Sequence, residues 1–276
     1  MQLACESAED YISAGHAFDG IAKEYDEIFT RSLIGKAQRS LVHEVLKTFF
    51  YRGDRILELN CGTGEDAAFL TSHGVSVLAC DASEGMIEVA SRRLSTRSAR
   101  VSVSFAVCAN ERLDTLQGSH VFDGVLSNFG GLNCTRDLSE VAGELARLVR
   151  PGGRLFLCLM GRVCAWEQLW YCLRGEWRKA FRRIATGGTK VSLGGTTIDV
   201  HYPSAREMRA AFAPYFRLES RRGIGVALPP SWMEASFHNR PKLVDRLTAI
   251  DRRLGALPVF RGMADHVLFQ FVREGE

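Results

Sequence analysis

Asp54-Arg55-Ile56-Leu57-Glu58-Leu59-Asn60-Cys61-Gly62-Thr63-Gly64-Glu65-Asp66 sets a short apolar strand, an acidic residue near its end and a tight Gly-x-Gly turn in front of a helix. The run Arg55 to Leu59 carries its apolar residues almost without a break, as a strand buried on both faces of a parallel sheet does. Gly62 and Gly64 remove side chains where the backbone turns sharply and a ligand must come close. The following helix, Glu65 to about Leu70, points its N-terminal amides at whatever sits above the turn. A Gly-x-Gly after a strand is common on its own. Here a second apolar run, Val75 to Cys80, ends in Asp81, seventeen residues beyond Gly64. An acidic residue at the tip of the next strand is where doubly wound folds hold a ribose diol. The pair predicts a nucleoside-type cofactor.

Gly62, Gly64 and Ala67 loosely satisfy the dinucleotide spacing G-x-G-x-x-G/A. Two features argue against a dinucleotide. Glu58 lies four residues before Gly62, where its carboxylate suits a cationic amino group and gains nothing from a pyrophosphate of like charge. The strand also begins only near residue 54, behind two expected helices.

Glu58-Leu59-Asn60-Cys61-Gly62-Thr63-Gly64 resembles the E-L-G-C-G-T-G motif of class I S-adenosylmethionine-dependent methyltransferases. Three further segments resemble that family in its order: Asp81 to Met86, Phe122 to Asn128, and the turn Arg150-Pro151-Gly152-Gly153. The likeness covers roughly residues 18–160, and Asn60 stands where the family often has its first glycine, a position Asn tolerates. The resemblance implies S-adenosylmethionine as cofactor, S-adenosylhomocysteine as product, and no metal. It places the methionine portion on Glu58, Asn60, Gly62 and Gly64. Asp81 is expected on the ribose, and Ala82 and Met86 on the adenine face. Ala109 and Asn110 are expected at the adenine edge, and Asn128 and Phe129 beside the methyl group. Tyr25, in Ala22-Lys23-Glu24-Tyr25-Asp26, is expected to cover the sulfonium, where an aromatic ring contributes about 1 kcal/mol.

Alternation of strands and helices predicts a Rossmann-like, doubly wound, mostly parallel seven-stranded sheet. Strands are expected at about 54–60, 75–80, 101–108, 122–128, 153–160, 216–223 and 265–272, with helices at 8–30, 34–50, Ser83 to Leu94, Leu138 to Leu148 and Ser204 to Phe212. The expected organisation is an N-terminal helical cap (1–50), a cofactor-binding core (51–161), a helical and hairpin lid (162–202) and a C-terminal completion with a helical insertion near 231–255 (203–276).

Methyl transfer needs alignment more than acid or base, and positioning supplies roughly 7–11 kcal/mol of a barrier. Where a base is used, His201 is the first candidate, with His238 and His266 behind it. Phe18, Trp166, Trp170 and Tyr202 are the candidate substrate-pocket residues. Trp166, Leu169, Trp170, Leu173, Trp177 and Phe181 recur at helical spacing, as a stripe packed on the core does, or alternatively as a lid. Arg174, Arg178, Lys179, Arg182 and Arg183 cluster on the same stretch. They read first as a solvated face, with an acidic substrate, a carrier domain or a membrane surface as the alternative.

The net charge of +3 is too small to suggest a nucleic-acid substrate, and Ser127-Asn128-Phe129-Gly130 lacks the proline pair of base-amino methyltransferases. The eight cysteines are scattered without a C-x-x-C pair and read as reduced core residues. No apolar run of transmembrane length and no leader is visible, so a cytoplasmic protein is expected. The function expected is methylation of a partly apolar small molecule on oxygen, nitrogen or carbon. A macromolecular acceptor such as tRNA or protein, or a non-catalytic S-adenosylmethionine-binding protein, are the alternatives.

Overall fold

The computed structural model describes residues 14–95, 103–118, 121–185 and 187–275. The expected helix at 8–13 and strand at 101–102 lie outside the described residues. Residues 14–19 are helical, and a π-helical turn, Asp26–Thr30, follows. The single N-terminal helix expected over 8–30 is therefore bent, its turns joined by Glu24 N–H to Ile21 O (3.0 Å) and Tyr25 N–H to Ile21 O (2.8 Å). Helix α1 spans Leu33–Leu46 and opens on Ser32, whose hydroxyl accepts from Gly35 N–H at 2.9 Å.

The core then alternates as β1 (Arg55–Leu59), α2 (Glu65–Ser72), β2 (Ser76–Asp81), α3 (Glu84–Ser95) and β3 (Val103–Val107). It continues as β4 (Phe122–Ser127), α4 (Leu138–Leu148) and β5 (Val149–Met160). Helices α5 (Ala165–Cys172) and α6 (Trp177–Ala180) follow, then a two-stranded hairpin of β6 (Thr189–Leu193) and β7 (Thr196–Val200). The chain closes with α7 (Ala205–Phe212), β8 (Phe216–Ile224), α8 (Pro241–Leu254) and β9 (His266–Arg273).

The main sheet has seven strands in the order β3-β2-β1-β4-β5-β9-β8, with β9 antiparallel to both neighbours and the first five strands parallel. The expected doubly wound architecture is thus present. The helix expected at 34–50 ends at Leu46, the insertion expected near 231–255 is a short turn, Ser231–Ser236, followed by α8, and one strand starts four residues early. β5 begins at Val149, directly after α4, and runs through Pro151 and Gly152 (φ +77°) instead of starting at residue 153. Val149 already pairs with Phe122, and the register shifts before Gly124 meets Arg154.

Successive residues of a strand face opposite sides, so a strand covered by helices on both sides must be apolar throughout. Leu57, Val125, Leu155 and Phe271 belong to one buried cluster with α4 and α7, through Leu145 and Phe212. Ile56, Leu126, Phe156 and Leu268 belong to the other, with Leu41 and Leu46 of α1. β1 lies between β2 and β4, in the middle of the parallel part, and its tip is where the strand order reverses. Open α/β sheets bind ligands above that switch point.

Phe156 packs between Phe49 (centroids 5.3 Å apart) and Phe50 (5.1 Å, edge-on) and is fully buried. Phe156→Ala is expected to lower the unfolding free energy by about 3–5 kcal/mol, read from denaturant titration followed by circular dichroism.

Candidate functional site

A cavity of about 510 Å³ lies above the carboxyl ends of β1, β2 and β4, roofed by residues 14–29 and walled on one side by the β6–β7 hairpin. Its floor is the turn after β1. Gly62 has φ +53° and a Cβ there would meet nothing nearer than Tyr25 Cε1, at 4.0 Å, so the missing side chain opens the backbone to the cavity. Gly64 (φ +77°) serves packing: a Cβ would sit 2.9 Å from that of Ala90 on α3. Asn60 takes φ +54°, as its side-chain type allows, and its amide is held by Ser127 Oγ (3.0 Å) and Asn110 Oδ1 (3.2 Å).

Asp81 closes β2 with both carboxylate oxygens engaged, Oδ2 accepting from Gly62 N–H (2.8 Å) and Oδ1 from Ser83 N–H (2.9 Å). Burial raises it above the usual carboxylate range, and those amides pull the other way. Glu58 lies beneath this turn and is 1% exposed, with Oε2 lacking any partner. Burial first, then the carboxylates of Asp66 and Asp81, push it well above its ordinary value. Burial alone would also raise Asp66. Arg39, which pairs with Oδ2, and His43 Nε2, 2.5 Å from Oδ1, instead hold it far below the usual range.

Of the residues expected to bind cofactor, Tyr25, Asn60, Gly62, Asp81, Ala82, Met86, Ala109, Asn110, Asn128 and Phe129 all line this one cavity. Glu58 and Gly64 lie behind its wall, so Glu58 acts on the cavity through its field rather than by contact. The Tyr25 hydroxyl is pushed up to about 12, chiefly by burial. Phe129 takes φ +54°, an uncommon conformation for a bulky residue, and its ring sits beneath the Arg39 guanidinium at 4.9 Å.

Among the expected substrate-pocket residues, Phe18 and Tyr202 line the cavity. Trp166 is outside it, donating its indole N–H to Ala227 O (3.1 Å), and Trp170 packs on Trp232. His201 follows β7 with its ring against Gly188, away from the cavity, while Val200 and Tyr202 on either side line it. That placement follows from the two-residue period of an extended chain.

The apolar wall comes instead from Val191, Leu193, Ile198 and Val200 of the hairpin, with Ile21, Phe29 and Met160. The Trp-rich stripe is not packed on the core, since Leu169, Leu173, Trp177 and Phe181 are exposed.

Three lining residues had no motif to announce a site role, Arg183, Asp265 and Trp232, and a fourth, His266, is only a secondary base candidate in the sequence. Arg183 is buried and donates to Glu167 Oε2 (2.7 Å) and Asp265 Oδ1 (2.9 Å). His266 stands edge-on to Phe129 (5.3 Å), with Nδ1 3.2 Å from Asp265 Oδ2. Burial would raise Asp265, yet His266 and Arg183 hold it well below its ordinary value. The signals for His266 are its residue type, which makes it a candidate base behind His201, and its position at the start of the last expected strand. Among the described residues no group of three or more His, Cys, Asp or Glu side chains is arranged to hold a metal ion.

Residues 56–153 match a family model described as a methyltransferase domain. Demethylmenaquinone methyltransferase of Thermobifida fusca (strain YX) is 32% identical over 156 residues, 56% of this chain and 64% of the relative. The chain thus spans less than two thirds of that curated relative. Geranyl diphosphate C-methyltransferase of Streptomyces coelicolor A3(2) superposes with a TM-score of 0.55 at 17% identity, over 85% of this chain and 80% of that one. An S-adenosylmethionine-dependent methyltransferase of Mesorhizobium loti gives 0.52 at 18% identity, over 88% and 98%. At such identities the structural likeness is one of fold. Residues 56–153 thus carry a methyltransferase domain, seated on a seven-stranded sheet whose fold is shared with S-adenosylmethionine-dependent methyltransferases.

Proposed function

We propose that this chain is a cytoplasmic enzyme that binds S-adenosylmethionine over the tips of β1, β2 and β4. On this reading it transfers the methyl group to a small, largely apolar acceptor and releases S-adenosylhomocysteine. One observation carries the reading: the Gly62 turn, Asp81 and the apolar hairpin wall share a single cavity that is continuous past Asn128 and Phe129. The residues present fit the cofactor, because the cradle at Gly62 is open and Glu58 carries an orphaned buried oxygen. The names of the relative and of the structural neighbour, demethylmenaquinone and geranyl diphosphate methyltransferases, point to acceptors with isoprenoid hydrocarbon. An apolar wall suits such an acceptor.

The bound cofactor supplies a methyl group already activated by its sulfonium. The chain's own residues orient and shield. Asp81 presents a carboxylate to a ribose diol, and Tyr25 and Phe129 offer ring faces to a cation. Hairpin and N-terminal walls exclude water, which strengthens electrostatic interactions in the cavity. Where the acceptor is a hydroxyl or an acidic carbon, its proton goes to His266, whose Nδ1 is set against Asp265.

Asp81→Ala is expected to weaken S-adenosylmethionine binding about 10²–10⁴-fold, the scale of two charge-assisted hydrogen bonds at ~1.5–3 kcal/mol each. Calorimetric titration measures it, with Asp81→Asn alongside because Asp81 also anchors the Gly62 and Ser83 amides. Normal binding by both variants would move the cofactor elsewhere.

Glu58 yields a pH test. Its folded-state pKa is raised, so the native state holds a proton that the unfolded chain releases, and stability falls as pH climbs above the ordinary carboxylate range. Glu58→Gln is expected to lessen that fall in thermal melts of the apo protein, the remainder coming from Asp81, Glu111 and Asp251, which burial also raises. A cationic ligand favours ionised Glu58, so wild-type affinity for S-adenosylmethionine is expected to rise about tenfold with pH, ~1.4 kcal/mol, while the variant stays flat.

His266→Gln is expected to lower kcat by about 10²–10⁴-fold with S-adenosylmethionine affinity unchanged, using a short-chain prenyl naphthoquinol as acceptor and transfer of a radiolabelled methyl group as readout. An unaltered kcat would remove His266 from the chemistry.

A further inference from the structure

We infer that the exposed face built from α5, α6 and residues 257–263 docks on an anionic lipid bilayer and sets the cavity mouth against it. Leu169 of α5 and Leu173 just past its end are exposed, as are Trp177 at the start of α6 and Phe181 just past its end, and Leu173 and Trp177 are 77% and 61% exposed. The 257–263 segment adds Val259, 72% exposed, and is tied to α5 by Ala165 N–H donating to Met263 O at 3.0 Å. Monomeric soluble proteins rarely leave so many large apolar side chains together in water.

Two further observations identify the occupant. The first is charge. Arg174, Arg178 and Lys179 stand exposed on this face against Glu176, a surplus of two positive charges, whereas Arg182 and Arg183 pair with Glu167 and Asp265, and Arg162 with Glu207. Arg174 lies over the Trp170 ring at 3.4 Å, and Lys179 pairs with Glu176, while Arg178 has no acidic partner among the described residues. Exposed tryptophan and aliphatic side chains ringed by Arg and Lys match the headgroup layer of an anionic leaflet. The second is continuity with the site. Trp232 stacks on Tyr171 of α5 (5.9 Å) and also lines the cavity, as does the half-exposed Ile28. The apolar surface therefore runs from the exposed face into the cavity. No helix among the described residues is long and apolar enough to span a bilayer, so contact is peripheral.

Uptake of an acceptor from the bilayer rests on the proposed function, whereas docking itself does not, and vesicle binding is measured without turnover. The probe is co-sedimentation with vesicles of phosphatidylcholine alone or mixed with phosphatidylglycerol. The full chain is expected to bind the mixed vesicles, release with added salt, and show a blue shift of tryptophan emission. Leu173→Glu combined with Trp177→Glu is expected to lose vesicle binding about tenfold or more. The double variant should keep its thermal melt, its S-adenosylmethionine affinity and its turnover of a water-soluble short-chain acceptor. Equal binding to neutral and anionic vesicles, or undiminished binding by the double variant, overturns the inference. A wild-type dimer that the double substitution dissociates, with no vesicle binding by either protein, overturns it in favour of a second copy of the chain.

Discussion

A single buried carboxylate holds the site together. Asp66, at the start of α2, is shared by Arg39 and His43 of α1 and by the Asn128 amide beyond β4 (3.1 Å). Helix α1, the turn after β1 and the tip of β4 are thus joined at one point. A buried charge of this kind is costly to leave unpaired, and removing one partner from such a group commonly costs about 3–5 kcal/mol. Arg39 extends the constraint, because its guanidinium also covers the rings of Phe29 (5.6 Å) and Phe129 (4.9 Å). The roof is fastened in the same way. Asp19 accepts from Ser83 Oγ (2.5 Å) and Gly85 N–H (2.9 Å), and Asp26 accepts from Thr63 (2.6 Å) and pairs with Arg93.

Three acids gather beneath the cavity in three different states. Asp66 is neutralised by its partners and stays ionised. Asp81 gives its oxygens to backbone amides and faces the cavity. Glu58, whose Oε2 has no hydrogen-bond partner among the described residues, holds its proton more tightly than a free glutamate, since burial outweighs the pull of Arg39. The arrangement destabilises the empty protein where Glu58 is forced to ionise. It also offers a site of negative potential to a ligand with positive charge, which is how a strained group can be retained at a binding site.

The parts written in local pattern were legible in the sequence. An apolar run with no polar alternation gives a strand buried on both sides, and the strand-tip residues Gly62 and Asp81 follow from it by position alone. The acceptor wall was not legible, because it depends on which way a chain segment faces after the sheet has closed. His201 and Tyr202 are neighbours in sequence, yet only Tyr202 reaches the cavity. The helical stripe from Trp166 to Phe181 has the spacing of a packed face, but periodicity reports a face and not what covers it. His266 was readable as a secondary candidate base at the start of a strand, but not as a residue of this cavity. Its place beside Phe129 arises because β9 runs antiparallel to β5 and brings its first residue opposite Met160, at the ligand-binding end of the sheet.

The cavity's two ends differ in how their charges are balanced, and that difference decides what each end selects. On the cofactor side Glu58 and Asp81 are both raised above the usual carboxylate range, and a bound cation favours their ionised forms. On the acceptor side Arg182 and Arg183 are matched by Glu167, at 2.7 Å to each, and by Asp265. Those guanidiniums are already paired with carboxylate, so they hold the α6–β6 region in place and draw an anion inward only weakly. An acceptor there is discriminated by the shape of Val191, Ile198, Phe29 and Met160 and by desolvation. Each methylene buried on such a wall contributes about 0.8 kcal/mol. Selection by apolar area is graded and tolerant, whereas selection by the buried carboxylates is steep. The chain should therefore be strict about its methyl donor and permissive about the length of an apolar acceptor.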